Sequence, residues 1–201
     1  MKLSNRHGLT QRLCLLSITG LACLAAPVWA ADIEASGNGG VHIMDGGVGA
    51  HDTFGGQGGF HFGGGFVFGE FNWTQLASTS LNSTSSGVSI AATGTANLAN
   101  YGGGVDYSLG SSRRVTPYLV TAIGVGHFYA KGSASGGGVS ATTSLSISND
   151  IYYGIGGGAR IYFGKHWGIK PEFRYQRYNG TLLTANSLIT TVSLFWRSGG
   201  N

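Results

Sequence analysis

The residues best equipped for chemistry are ionic and closely spaced. In "GIKPEFRYQRY", residues 168–178, Lys170, Glu172 and Arg174 take every second position, and Ile169, Pro171, Phe173 and Tyr175 take the positions between. Arg160 lies just upstream, across a short turn. A carboxylate flanked by guanidinium groups can relay a proton, gate an ion or form a structural ion pair. The structural role demands least, because charges removed from water must be paired in any case. Glu34, Glu70 and Asp106 fall at matching positions of other segments. With Glu172 they set four acids against the bases Arg160, Lys170 and Arg174.

Other reactive groups form no constellation. His42, His51, His61, His127 and His166 are scattered. His42 and His61 could face each other from adjacent segments, but two ligands fall short of a zinc site. "GIGGGA", residues 154–159, fits a dinucleotide fingerprint in letters only, since no strand–turn–helix surrounds it. No G-x-S-x-G elbow is present. The chain is read as having no metal, no cofactor and no catalytic residue.

The elements that must carry the ionic residues are strands. Eight segments alternate in polarity: approximately 33–43, 54–63, 66–76, 96–109, 116–130, 149–163, 168–178 and 187–197. Each is about 10–15 residues, the length that crosses a bilayer at a barrel tilt, whereas strands of soluble proteins run nearer 5–6. Short connections at 63–65, 111–114 and 165–167 alternate with longer Gly/Ser/Thr-rich ones at 44–53, 77–95, 131–148 and 179–186. The two longest read as mobile loops on one end of the sheet.

One face of each strand is bulky and apolar, and the other is small or charged. Tyr153, Ile155, Ile161 and Phe163 alternate with Gly154, Gly156, Gly158 and Arg160. A soluble barrel would turn its apolar face inward. A membrane barrel turns it to lipid and pairs its charges inside, since a lipid-facing arginine costs about 2–4 kcal/mol at the midplane. Aromatic residues gather at the strand ends. Trp73, Tyr129, Tyr153 and Tyr175 lie toward the long connections; Tyr107, Phe163, Trp167 and Trp196 lie toward the short ones. Two such belts fit the two membrane interfaces.

Residues 1–30 read as a secretory leader: Lys2, Arg6 and Arg12, an apolar run over 13–26, and "VWA" before the cleavage point. The run is too short for a spanning helix. The leader holds three of the 12 bases and none of the eight acids, so residues 31–201 carry nine bases against eight acids, a formal charge of +1. That balance gives nucleic acid no purchase. Cys14 and Cys23 both lie in the leader, so the exported part forms no disulfide.

The leader, the eight long strands, "GIKPEFRYQRY" and the closing "TTVSLFW" resemble the OmpA-like transmembrane domain and related small eight-stranded outer-membrane β-barrel proteins. The resemblance covers nearly all of residues 31–201. It implies an all-β, antiparallel up-and-down barrel in the cell outer membrane, with outer-membrane lipids as surroundings. It also implies a final-strand assembly signal, matched by Thr190, Val192, Leu194 and Trp196, although "RSGGN" follows the aromatic residue. The implied partners in biogenesis are periplasmic chaperones and the barrel-assembly machinery. An extracellular ligand would meet the long loops. The expected role is envelope structure or adhesin-like surface contact, with the lumen plugged by charge pairs. The alternatives are a narrow channel for ions or small solutes, or a lipid A-modifying enzyme, for which His127 lies at the right depth but lacks a neighbouring serine.

Overall fold

A computed structural model describes residues 32–45, 49–85, 88–110, 114–180 and 184–199; the expected leader lies outside them. Alternating side chains give eight strands: β1 (Asp32–Met44), β2 (Gly49–Phe62), β3 (Gly65–Ser85), β4 (Val88–Ser108), β5 (Val115–Gly136), β6 (Val139–Tyr162), β7 (Trp167–Asn179) and β8 (Thr184–Arg197). Each pairs antiparallel with its neighbour in sequence, and β8 pairs with β1 to close the ring. Closure leaves no edge within the ring.

The register fixes the width of the ring. Followed across the ladders, Glu34 leads to Gly59, Phe68, Gly104, Ala122, Gly154, Gln176 and Ser187, and returns to β1 at Met44, 10 residues further along. Eight strands with that offset tilt by about 40° and enclose a cylinder of about 8 Å backbone radius. Side chains from opposite walls can therefore meet at the axis.

The long connections differ from the expectation. Residues 77–85 and 88–96 continue β3 and β4 as a ladder, and 130–136 and 139–145 continue β5 and β6. Gly137 and Gly138, with φ of 58° and 81°, close the second hairpin in the two-residue turn that suits strand twist. Residues 90–97 of β4 also pair with 129–136 of β5. The supposed loops thus join into a four-stranded sheet standing beyond the rest of the rim. Serine, threonine and glycine hid these strands, because such residues signal loops when read one segment at a time. Register shifts at Gln75/Ala77 and Phe128/Tyr129 mark where the sheet leaves the ring.

Outside the ring stand Ile33, Phe71, Tyr101, Val105, Ile123, Ile155, Phe173, Val192 and Leu194, all exposed. Inside, the charged residues are joined by Phe66, Phe68, Tyr118, Tyr152, Tyr178 and Phe195, all buried. Inward glycines make room for these rings. A Cβ at Gly124 would come within 2.6 Å of the Tyr152 ring and hydroxyl, and one at Gly158 within 2.5 Å of the Tyr118 hydroxyl.

Candidate functional site

The ionic residues meet inside the ring in two linked groups. Arg160, on β6, reaches Glu34 on β1 (Nε to Oε2, 2.8 Å) and Asp106 on β4 (Nη2 to Oδ2, 2.8 Å). Its guanidinium lies over Tyr118 and Phe66, at 4.9 and 5.1 Å from the ring centres. Lys170 donates to Gln57 at 2.5 Å and to Glu34 at 3.4 Å, and His61 Nε2 lies 2.9 Å from Glu34. In the second group Arg174, on β7, spans the ring to Glu70 on β3, with Nη1 at 2.6 and 2.9 Å from the two carboxylate oxygens. Its Nη2 donates to Glu172 at 2.6 Å. Gln57 joins the groups by donating to Glu70 at 3.2 Å.

Glu172 does not sit between two guanidinium groups, as local register implied. It takes one donor from Arg174 and one from the Tyr118 hydroxyl at 2.9 Å, while Arg160 turns to β1 and β4. The reason is geometric. The two groups are stacked along the axis, and Arg160 reaches across the ring rather than along its own ladder. Tyr152 adds a donor to Glu70 at 2.9 Å. Every oxygen of the four carboxylates thereby has a donor. A network of this kind braces opposite walls and gives every carboxylate oxygen a donor, while the Arg174 Nε stays buried without a partner among the described residues.

The ends of the interior close differently. Toward the hairpins, Met44, Leu98, Phe128, Tyr178 and Ala185 form a buried apolar cluster. Asn100 donates to the Tyr178 hydroxyl at 2.8 Å beneath it. Toward the short turns, Tyr162 and Phe195 meet edge to face at 5.2 Å, and Arg197 binds both the Tyr162 hydroxyl and Asp32.

The remaining expected residues fall as follows. Trp167 and Trp196 are paired neighbours at the short-turn end, with Tyr107 and Phe163 also exposed there. Trp73 donates to the Tyr129 hydroxyl at 3.0 Å on the hairpin side, where Tyr153 and Tyr175 are exposed. Thr190, Val192, Leu194 and Trp196 all face outward on β8. His42 and His61 both face inward, but at opposite ends of the ring: His42 lies 3.3 Å from Thr74, and His61 lies on Glu34. Separated by about ten residues of strand, they are roughly 30 Å apart and cannot share a metal. His127 contacts Asn149 and stacks on Tyr129. Gln57, Tyr118 and Tyr152 were not foreseen as part of the network. The signal for the tyrosines was the glycine opposite each of them.

A family model described as the outer membrane protein beta-barrel domain matches residues 16–194. Among solved structures, a major outer membrane protein of Thermus thermophilus is 10% identical, with a TM-score of 0.51, covering 84% of this chain and 100% of that one. Neisserial surface protein A is 11% identical, TM-score 0.48, covering 83% and 96%. Ail, the attachment invasion locus protein of Yersinia pestis, is 17% identical, TM-score 0.48, covering 84% and 97%. These likenesses concern the fold. Among curated proteins, none matches the chain.

Proposed function

The chain belongs to the outer-membrane β-barrel family and resides in the cell outer membrane, and from that membership we propose an envelope protein that acts through its external sheet rather than its interior. Residues 1–30 are the export leader, removed before folding. The short turns face the periplasm and the β3–β6 extension faces outside. Trp73, Tyr129, Tyr153 and Tyr175 line the outer interface, and Tyr107, Phe163, Trp167 and Trp196 the inner one. Along β7 the nine residues from Trp167 to Tyr175 rise about 20 Å at a 40° tilt, near the height of a barrel's apolar band. Thr190, Val192, Leu194 and Trp196 serve as the recognition strand for the assembly machinery.

The observation that carries this reading is the division of labour between interior and extension. The interior is braced across its width by Arg160, Lys170 and Arg174, with all four acids satisfied. That argues against a channel and against catalysis. The extension carries into the surroundings a long surface that is uncharged beyond Lys131 at its base. Its role is adhesin-like contact.

The test compares cells displaying the wild type with cells displaying a barrel whose residues 78–95 and 132–143 are each replaced by an Asn-Gly turn. Both proteins should show the altered gel mobility of a folded barrel before boiling. Only the wild type should promote attachment to surfaces or to other cells. Equal attachment by both would sink the proposal. In planar bilayers the wild type should give no conductance steps; regular steps that change in Glu172→Gln would restore the channel alternative.

A further inference from the structure

The sheet beyond the rim has two unlike faces. Paired residues point to the same side, so the rows alternate. One set of rows contains Leu81/Ala92/Ala134/Ala141, then Thr79/Gly94/Gly132/Thr143, with Ser83/Ile90/Gly136/Val139 near the tip. The other contains Ser80/Thr93/Ser133/Thr142 and Ser78/Thr95/Lys131/Ser144. In the second set, Thr93 and Ser133 hydroxyls meet at 2.7 Å.

The continuity of β4 and β5 shows which face is which. Leu98 and Phe128 point into the ring, so Ala92 and Ala134, an even number of residues away, lie on the same concave side. The polarity of the sheet therefore inverts where it leaves the membrane. Within the ring the outside is apolar and the inside ionic. Above it the convex side carries mostly hydroxyls, and the concave side mostly aliphatic groups with Thr79, Ser83 and Thr143 among them.

We propose that this concave face binds the hydrocarbon chain of an amphiphile such as a fatty acid. Leu81, Ile90, Val139 and Leu145 are 68%, 50%, 71% and 63% exposed, on the order of 400 Å² of bare apolar surface. That is about the size of the largest apolar patch an ordinary monomer carries, and only about half of what a stable protein partner buries on each side. The face carries no charge, so it offers nothing to an anionic or cationic polymer. An open-sided hollow of about 320 Å³, lined by Ile90, Ala134, Val139 and Ala141 together with Ser135 and the glycines at 136–137, lies on it, within the range of small-molecule sites. The face looks over its own barrel's axis, so a second barrel standing alongside in the same membrane would meet the hydroxyl-bearing convex face first. The apolar cluster of Met44, Leu98 and Phe128 lies at its foot, so a chain lying there has apolar contacts from the tip down to the rim.

The test uses the full barrel in lipid nanodiscs, with alanine methyls labelled and doxyl-labelled stearate added. Ala92, Ala134 and Ala141 should broaden, while Ala91 on the convex face should not. Ala134→Glu should weaken binding by more than about tenfold, since a carboxylate against hydrocarbon is left unpaired. Ser133→Glu, one residue away on the opposite face, should bind as the wild type does. Altered gel mobility before boiling confirms that both variants fold. The proposal fails if broadening is confined to membrane-facing methyls such as Ala35, or if Ala134→Glu binds as well as Ser133→Glu. It also fails if sedimentation shows the face occupied by a second copy. None of these outcomes depends on whether the cells attach to anything.

Discussion

Replacing Arg174 with methionine removes one cation from beneath three hydrogen bonds. Nη1 serves both oxygens of Glu70 and Nη2 serves Glu172, while all three side chains are buried. Methionine keeps the length and removes the charge. Glu70 then retains only Tyr152 and Gln57 as donors, and Glu172 only Tyr118. Breaking a buried pair from one side costs about 3–5 kcal/mol, because the orphaned charge stays buried. With a urea slope of about 2 kcal/mol/M, the unfolding midpoint should fall by about 1.5–2.5 M. Tryptophan fluorescence and unboiled gel mobility, followed in urea at one lipid composition, read the same transition. The diagnostic step is the triple variant Arg174→Met, Glu70→Gln, Glu172→Gln. It removes both orphaned carboxylates and should recover most of the loss. If the triple variant is no more stable than Arg174→Met, or if Arg174→Met leaves the midpoint unchanged, the interior is not held by charge compensation.

Three further outcomes follow from the same structure. Gly124→Ala should destabilise the barrel by about 1–3 kcal/mol, because the new methyl would press on Tyr152 and on the Tyr101 carbonyl; urea unfolding measures it. Single-tryptophan proteins retaining Trp196 or Trp167 should be quenched most by lipids brominated near the headgroup; strongest quenching by chains brominated at their ends would displace the lower belt to the bilayer centre. Trp73→Phe should cost about 0.5–1.5 kcal/mol through loss of the bond to Tyr129, and Tyr129→Phe should add little to it in a double-mutant cycle.

The alternation of Tyr153, Ile155 and Ile161 with Gly154, Gly156 and Arg160 made the two faces of the sheet legible in the sequence, since a period of two is a local property. Which charges meet was not legible. Arg160 and Glu34 are 126 residues apart, and their meeting depends on the offset with which β8 joins β1. No single segment encodes that offset. The extension was missed for the opposite reason. Residues 77–85, 88–96 and 130–148 have little hydrophobic pattern of their own, and they become strands by pairing with one another. Their alternation of hydroxyl and methyl groups becomes apparent only after the partner rows are aligned.

The cross-ring ion pairs also impose an order on biogenesis. Until the last strand docks on the first, Arg160 has no Glu34 to meet and Arg174 has no opposite wall. A flat, unfinished sheet would present seven ionic groups on one surface with the Arg160–Glu34 and Arg174–Glu70 pairs still unmade, and entering the bilayer in that state would leave those charges in hydrocarbon. Curling must therefore accompany or precede entry, with solvent escorting the charges until the wall shuts. Completion of the salt-bridge network then doubles as a chemical seal, one that a chain lacking its final strand could never set.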